Sequence, residues 1–112
     1  MSKAQLKLKN EKVTVTSAGT AVRLKSSSQM TWGVLIQASA SNTGIIYAGN
    51  NGSDDITSTE GYVLYAGQTL PVNSNQFFSA HVEYVDLSNI WIDASVSGES
   101  VIIMYTVTAE TL

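Results

Sequence analysis

Cysteine is absent from the 112 residues, which excludes a disulfide framework, a thiol nucleophile and any cysteine-based zinc site. Histidine occurs once, at His81, so a Ser-His-Asp triad would depend on that residue alone. Proline also occurs once, and charged residues make up only 13% of the chain, against roughly 25% in ordinary soluble domains. Apolar runs are short: Val101–Tyr105 spans five residues, where about 20 are needed to cross a bilayer as a helix. Residues 1–25 carry charges throughout and no continuous apolar stretch, which argues against a secretory signal. Beyond Lys25 there is no Lys or Arg at all. A body without cations cannot track a phosphate backbone, so nucleic-acid binding by residues 26–112 is not expected.

What replaces these residues is hydroxyl and branched side chains. Fifteen Ser and 11 Thr carry the polar character, and Val, Ile and Thr together number 30. Branching at Cβ favours a pleated sheet over a helix. The charge is split along the chain. Lys3, Lys7, Lys9, Lys12, Arg23 and Lys25 share the first 25 residues with one acid, Glu11, and the remaining eight acids follow, for a net charge of −3. Residues 1–12 therefore read as a basic strand or arm, and 13–112 as one β-sandwich domain. A lysine-rich edge strand blocks unwanted pairing; the same segment could also reach an acidic neighbour.

Polar and apolar residues alternate over Gln5–Lys9, and again over Lys12–Thr16 with Val13 and Val15 inward, with Asn10-Glu11 as a turn between them. Thr20–Leu24 is a further short strand. The stretch Trp32–Ala40 puts Trp32, Val34, Ile36, Ala38 and Ala40 on one face and Leu35 on the other. Ser41–Gly44 breaks the chain, Ile45–Ala48 is a strand, and Asn50–Glu60 is a long polar loop. Gly61–Leu70 follows, and Pro71 argues against a central strand there. Gln76–Val85 reads as one bent strand, and Ile90–Val96 alternates with Ile90, Ile92, Ala94 and Val96 inward. Ser97-Gly98 is a hairpin turn, and Val101, Ile103, Tyr105 and Val107 share a face on the way back. About eight or nine short strands separated by turns predict an all-β, antiparallel sandwich of jelly-roll-like form.

Few constellations could carry chemistry. His81 and Glu83 share a strand face, but a metal site needs three or four ligands and no second histidine exists. Asn50, Asn51, Ser53, Asp54 and Asp55 offer hard oxygens to calcium from one loop, without EF-hand spacing; a solvated turn at Asn51-Gly52 explains them more simply. Asp93 and Glu99 flank the Ser97-Gly98 turn, yet nothing builds around them the cleft that a glycosidase pair needs. Among the aromatics, Trp91 alternates against Ile90 and Ile92 and is expected on the far, exposed face. Together with Tyr62 and Tyr65 it is a candidate interface, with a second core layer and a sugar-stacking platform as the competing readings.

Three blocks then carry a family resemblance over Val13 to Val107. They are Gly33–Ala38 leading into Asn42–Gly49, then Gly61–Gly67, then Asp86–Ala94 closed by Ser97–Val101. In this order they resemble small β-sandwich virion proteins of tailed bacteriophages, with Ala48 and Trp91 standing where such proteins usually carry Val and Tyr. The resemblance implies a non-enzymatic structural role without cofactor: decoration, or cementing, of the head. Neck or tail attachment is the near alternative, and a carbohydrate- or receptor-binding module a more distant one. It implies synthesis in the host cytoplasm, residence on the capsid surface, and contact with the major capsid protein, other virion proteins and further copies of the chain. The expected contact residues are Lys3, Lys7, Lys9 and Lys12 on the arm, and Trp91, Tyr62 and Tyr65 on the body.

Overall fold

A computed structural model describes residues 5–73 and 84–109. Ten strands run through them: β1 (Gln5–Thr14), β2 (Val22–Arg23), β3 (Met30–Thr31), β4 (Gly33–Ala38), β5 (Ile46–Gly49), β6 (Tyr62–Leu64), β7 (Thr69–Asn73), β8 (Val85–Asp86), β9 (Trp91–Ala94) and β10 (Ser100–Ala109). The one helical element described is a single 3-10 turn, Leu87–Asn89. The protein is all-β, and every ladder is antiparallel.

The pairing follows one rule. β1 pairs with β10, β2 with β9, β3 with β8, β4 with β7 and β5 with β6. The chain is thus one long two-stranded ribbon folded back at the β5–β6 connection. Two more ladders, β10 with β4 and β9 with β5, roll that ribbon into two four-stranded sheets, β1-β10-β4-β7 and β2-β9-β5-β6. This is the jelly-roll order of strands, with β3-β8 as a small extra ladder.

Alternation along each strand decides what the sheets enclose. Val34, Ile36 and Ala38 on β4 and Val101, Ile103 and Tyr105 on β10 face Ile46 and Ala48 on β5 and Ile92 and Ala94 on β9 in one core. Each fully buried Ile contributes on the order of 1.5–3 kcal/mol relative to leaving it in water. Pro71 fits because β7 is an edge: it faces Leu35 across one ladder and has no second strand to feed with an N–H.

Three local expectations are corrected. Asn10-Glu11 does not turn the chain, because β1 continues through it, pairing Asn10 with Met104 and Glu11 with Ile103. Ten consecutive partners on β10 outweigh a weak local turn signal, and the expected border between arm and sandwich, at residues 12 and 13, falls inside this strand. Trp32 does not join the buried face of β4; it is 50% exposed. The Thr31 hydroxyl donates to the Gly33 or Thr106 carbonyl, at 2.8 and 2.9 Å, so the chain bends at Trp32 and Thr31 and Val34, three apart, both point inward. Val96 is exposed because β9 ends at Ala94, where Ser95 turns to exchange hydrogen bonds with Ile45. The bent strand expected over 76–85 lies mostly outside the described residues.

Candidate functional site

The outer face of the β1-β10-β4-β7 sheet is where apolar side chains meet solvent. The register aligns Leu8 with Thr106 and Asn10 with Met104; Met104 lies opposite Leu35, and Leu35 opposite Pro71. Leu8 is 65% exposed, Leu35 and Pro71 are exposed, and Met104 is half-buried. Beside them Trp32 stands up from its bend and meets Tyr84 edge-to-face, ring centroids 6.2 Å apart. Leu8, Trp32, Leu35, Pro71 and Met104 border a shallow hollow of about 320 Å³. Lys12 is the one charged side chain on this outer face among the described residues.

A second apolar opening adjoins the first at Pro71. It lies between the sheets, where the β6 and β7 edges face each other. Its volume is about 460 Å³, Ile36 and Ala48 form the floor, and Tyr62, Leu70, Val72 and Ile90 form the walls. Tyr62 is 69% exposed at its mouth. Asn50 and Asn89 add polar groups there, and the Asn50 amide donates to the Asn89 carbonyl at 2.8 Å. Tyr65 is exposed in the turn beyond β6, which Gln68 closes by accepting from the Tyr65 N–H.

The remaining candidates are scattered. Lys7 and Lys9 alternate with Lys12, so they project from opposite sides of β1 and do not form one patch. Lys3, His81 and Glu83 lie outside the described residues. Trp91 is not the exposed aromatic expected; it is half-buried, with the Arg23 guanidinium 5.1 Å from its ring centroid. Its neighbours in the ladder are Arg23 and Gly49, so a cation–π contact covers the ring, and its indole nitrogen is buried without a hydrogen-bond partner among the described residues.

The loop oxygens considered for calcium are directed at the loop's own backbone: Asn50 Oδ1 accepts from Gly52 N, Asn51 Oδ1 from Ser53 N, and Asp55 Oδ1 from its neighbour Ile56 N. Asp54 accepts from the Asn50 amide at 3.3 Å. Asp93 and Glu99 are likewise structural anchors. Asp93 accepts from Gly19 N and Ala94 N, and Glu99 grips Thr43 N and Gly44 N, both at 2.6 Å.

Two electrostatic clusters tie segments distant in sequence together. Glu11 accepts from the Tyr105 hydroxyl and, at 3.0 Å, from Lys25 Nζ. The tyrosine hydrogen bond first, and then Lys25, lower the Glu11 pKa. Burial first, and then the Glu11 carboxylate, push Tyr105 up to about 12. Asp86 caps the 3-10 turn. Burial alone would raise its pKa, but hydrogen bonds from Ser28, Ser88 and Gln29 outweigh that and hold it at about 2.

Sequence reasoning missed the outer face as a site. The usable signal was the unbroken apolar run Val101–Tyr105: a strand apolar on both faces presents one of them away from the core. No family, curated protein or solved structure compared with the chain matches it.

Proposed function

We propose that this chain is a non-enzymatic assembly subunit of a bacteriophage virion, with decoration of the head as its role and neck or tail attachment as the near alternative. The observation that carries the assembly reading is the apolar outer face of the β1-β10-β4-β7 sheet, which remains exposed although its inner face already supplies the core. Contiguous exposed apolar patches of several hundred Å² are often functional surfaces. The adjoining Tyr62 opening offers a second contact, so one subunit can touch two neighbours. The phage assignment rests on the resemblance carried by the three sequence blocks. The mechanism is burial of surface between shell subunits, with about 1,000 Å² or more needed per stable contact.

The test is protein analysis of purified virions, with immunogold labelling to separate head from tail. All six cations lie within residues 1–25, so trypsin leaves 26–112 as one long peptide and a different protease is needed. A band that copurifies with particles and yields peptides of this chain is expected. Its absence removes the proposal, and gold confined to tails moves the role to attachment. Glycan binding by the isolated chain would favour the carbohydrate-binding alternative.

A further inference from the structure

We infer that two copies of this chain pair face to face through the outer surface of the β1-β10-β4-β7 sheet. The inference rests on the reading of that face as an assembly contact and names its occupant. Three properties of the face favour a second copy over an unrelated partner.

The first is shape. A self-pairing surface must carry both a projection and a recess, because the same patch serves on each side. Trp32 projects beside the hollow bounded by Leu8, Leu35, Pro71 and Met104. A two-fold operation brings the projection of each copy toward the recess of the other, and two sheet faces stack at about 10 Å with side chains interleaved.

The second is charge. The chain carries a net −3, so two copies repel weakly as wholes, and a contact patch must avoid adding to this. Among its described residues the face has no acid and one cation, Lys12, on the β1 edge. A two-fold axis along the strands lays β1 of one copy over β7 of the other. β7 contains no charged residue, so the two Lys12 ammonium groups sit at opposite borders of the contact, each able to stay in water.

The third is area. The exposed fractions of Leu8, Leu35, Trp32 and Tyr84, with the neighbouring Pro71 and Met104, amount to about 500–600 Å² per copy, using about 150–250 Å² for each large aromatic. Two copies together bury about 1,000–1,200 Å², the lower bound of specific protein contacts. Such a dimer forms, but dissociates on dilution through the micromolar range.

The experiment is light scattering coupled to size exclusion over a concentration series of the full chain. The expected mass approaches twice 12.0 kDa at hundreds of micromolar and falls to 12.0 kDa on dilution. Leu35→Glu places a charge at the centre of the contact and should weaken pairing more than 100-fold, with an unchanged circular dichroism spectrum. Leu8→Gln, at an exposed edge position, should weaken it about tenfold and decides the matter if Leu35→Glu fails to fold. A wild type that stays at 12.0 kDa throughout overturns the inference, as does a dimer indifferent to the substitution that folds. Virion association is scored separately: a monomer found on particles defeats the pairing and leaves the assembly role, and a dimer absent from particles does the reverse.

Discussion

Replacing Tyr105 by Phe isolates one long-range polar link in the fold, the bond to Glu11. The ring is buried and stays so in the variant; what is lost is the hydroxyl that donates to Glu11, 94 positions away in sequence. A hydrogen bond to a charged group contributes about 1.5–3 kcal/mol. Glu11 is 28% exposed and keeps Lys25 as a second partner, so water recovers part of this and the expected cost at pH 7 is about 1–2 kcal/mol. Alkaline pH reverses the comparison. The Tyr105 pKa rises from 10.0 unfolded to about 12 folded, so the unfolded chain releases this proton first. The stability tied to the protonated hydroxyl is complete below pH 10 and lost as pH rises through 12. By pH 11.5 the wild type should have given up about 2 kcal/mol that the phenylalanine variant does not lose, so the two stability curves should cross near pH 11. Other titrating groups are common to both proteins and cancel in the difference. Urea unfolding followed by fluorescence of Trp32 and Trp91 between pH 7 and 11.5 measures it. A wild type no more stable at neutral pH, or a difference that stays constant up to pH 11.5, would refute the assignment of this hydroxyl as a buried, carboxylate-bound donor.

Two further outcomes test the clusters that hold the loops. Asp86→Ala should cost about 1–3 kcal/mol by removing the cap of the 3-10 turn and its bonds to Ser28 and Gln29. Because the folded pKa is depressed to about 2, the wild type should lose this stabilisation as pH falls from about 4 through 2, and acid-unfolding curves of the variant should lack that limb. Gly44→Ala drives a methyl group into the Ser95 hydroxyl, with Val96 Cγ2 at 2.8 Å and Glu99 Oε1 at 3.0 Å behind it. Thermal unfolding should show a loss of about 1–3 kcal/mol as the Glu99 grip on this turn is forced open, and an unchanged midpoint would contradict the packing.

The assembly reading and the fold are linked by one economy of the sequence. Val101–Tyr105 is apolar on both faces of β10, an interior strand of its sheet, so burying Val101, Ile103 and Tyr105 leaves Ile102 and Met104 facing outward. Long edge strands invite uncontrolled pairing; here β1 carries Lys7, Lys9 and Lys12, and β7 carries Pro71 in its middle. With both edges of that sheet protected, its outer face stays open to association.

Fold class and much of the core are legible in the order of the residues. Two-residue periodicity over Val34–Ala38, Ile92–Ala94 and Val101–Tyr105 places the same side chains inward that the folded protein buries, because side-chain direction along a strand is set by the backbone alone. The Ser97-Gly98 turn was legible too, since Gly98 adopts φ 86°, a conformation that costs glycine little. The remainder depended on contacts between distant strands. Whether Asn10-Glu11 turns or extends depended on the ten-residue partner at the other end of the chain. Trp32 faced solvent because the Thr31 hydroxyl found Thr106, and Trp91 was covered because β2 brought Arg23 beside it. The roles of Glu11, Asp93 and Glu99 likewise arise from partners 14 to 94 residues away. Periodicity is local and survives in a linear sequence; the partner that satisfies a polar group or shields a ring is chosen only when distant strands are laid side by side.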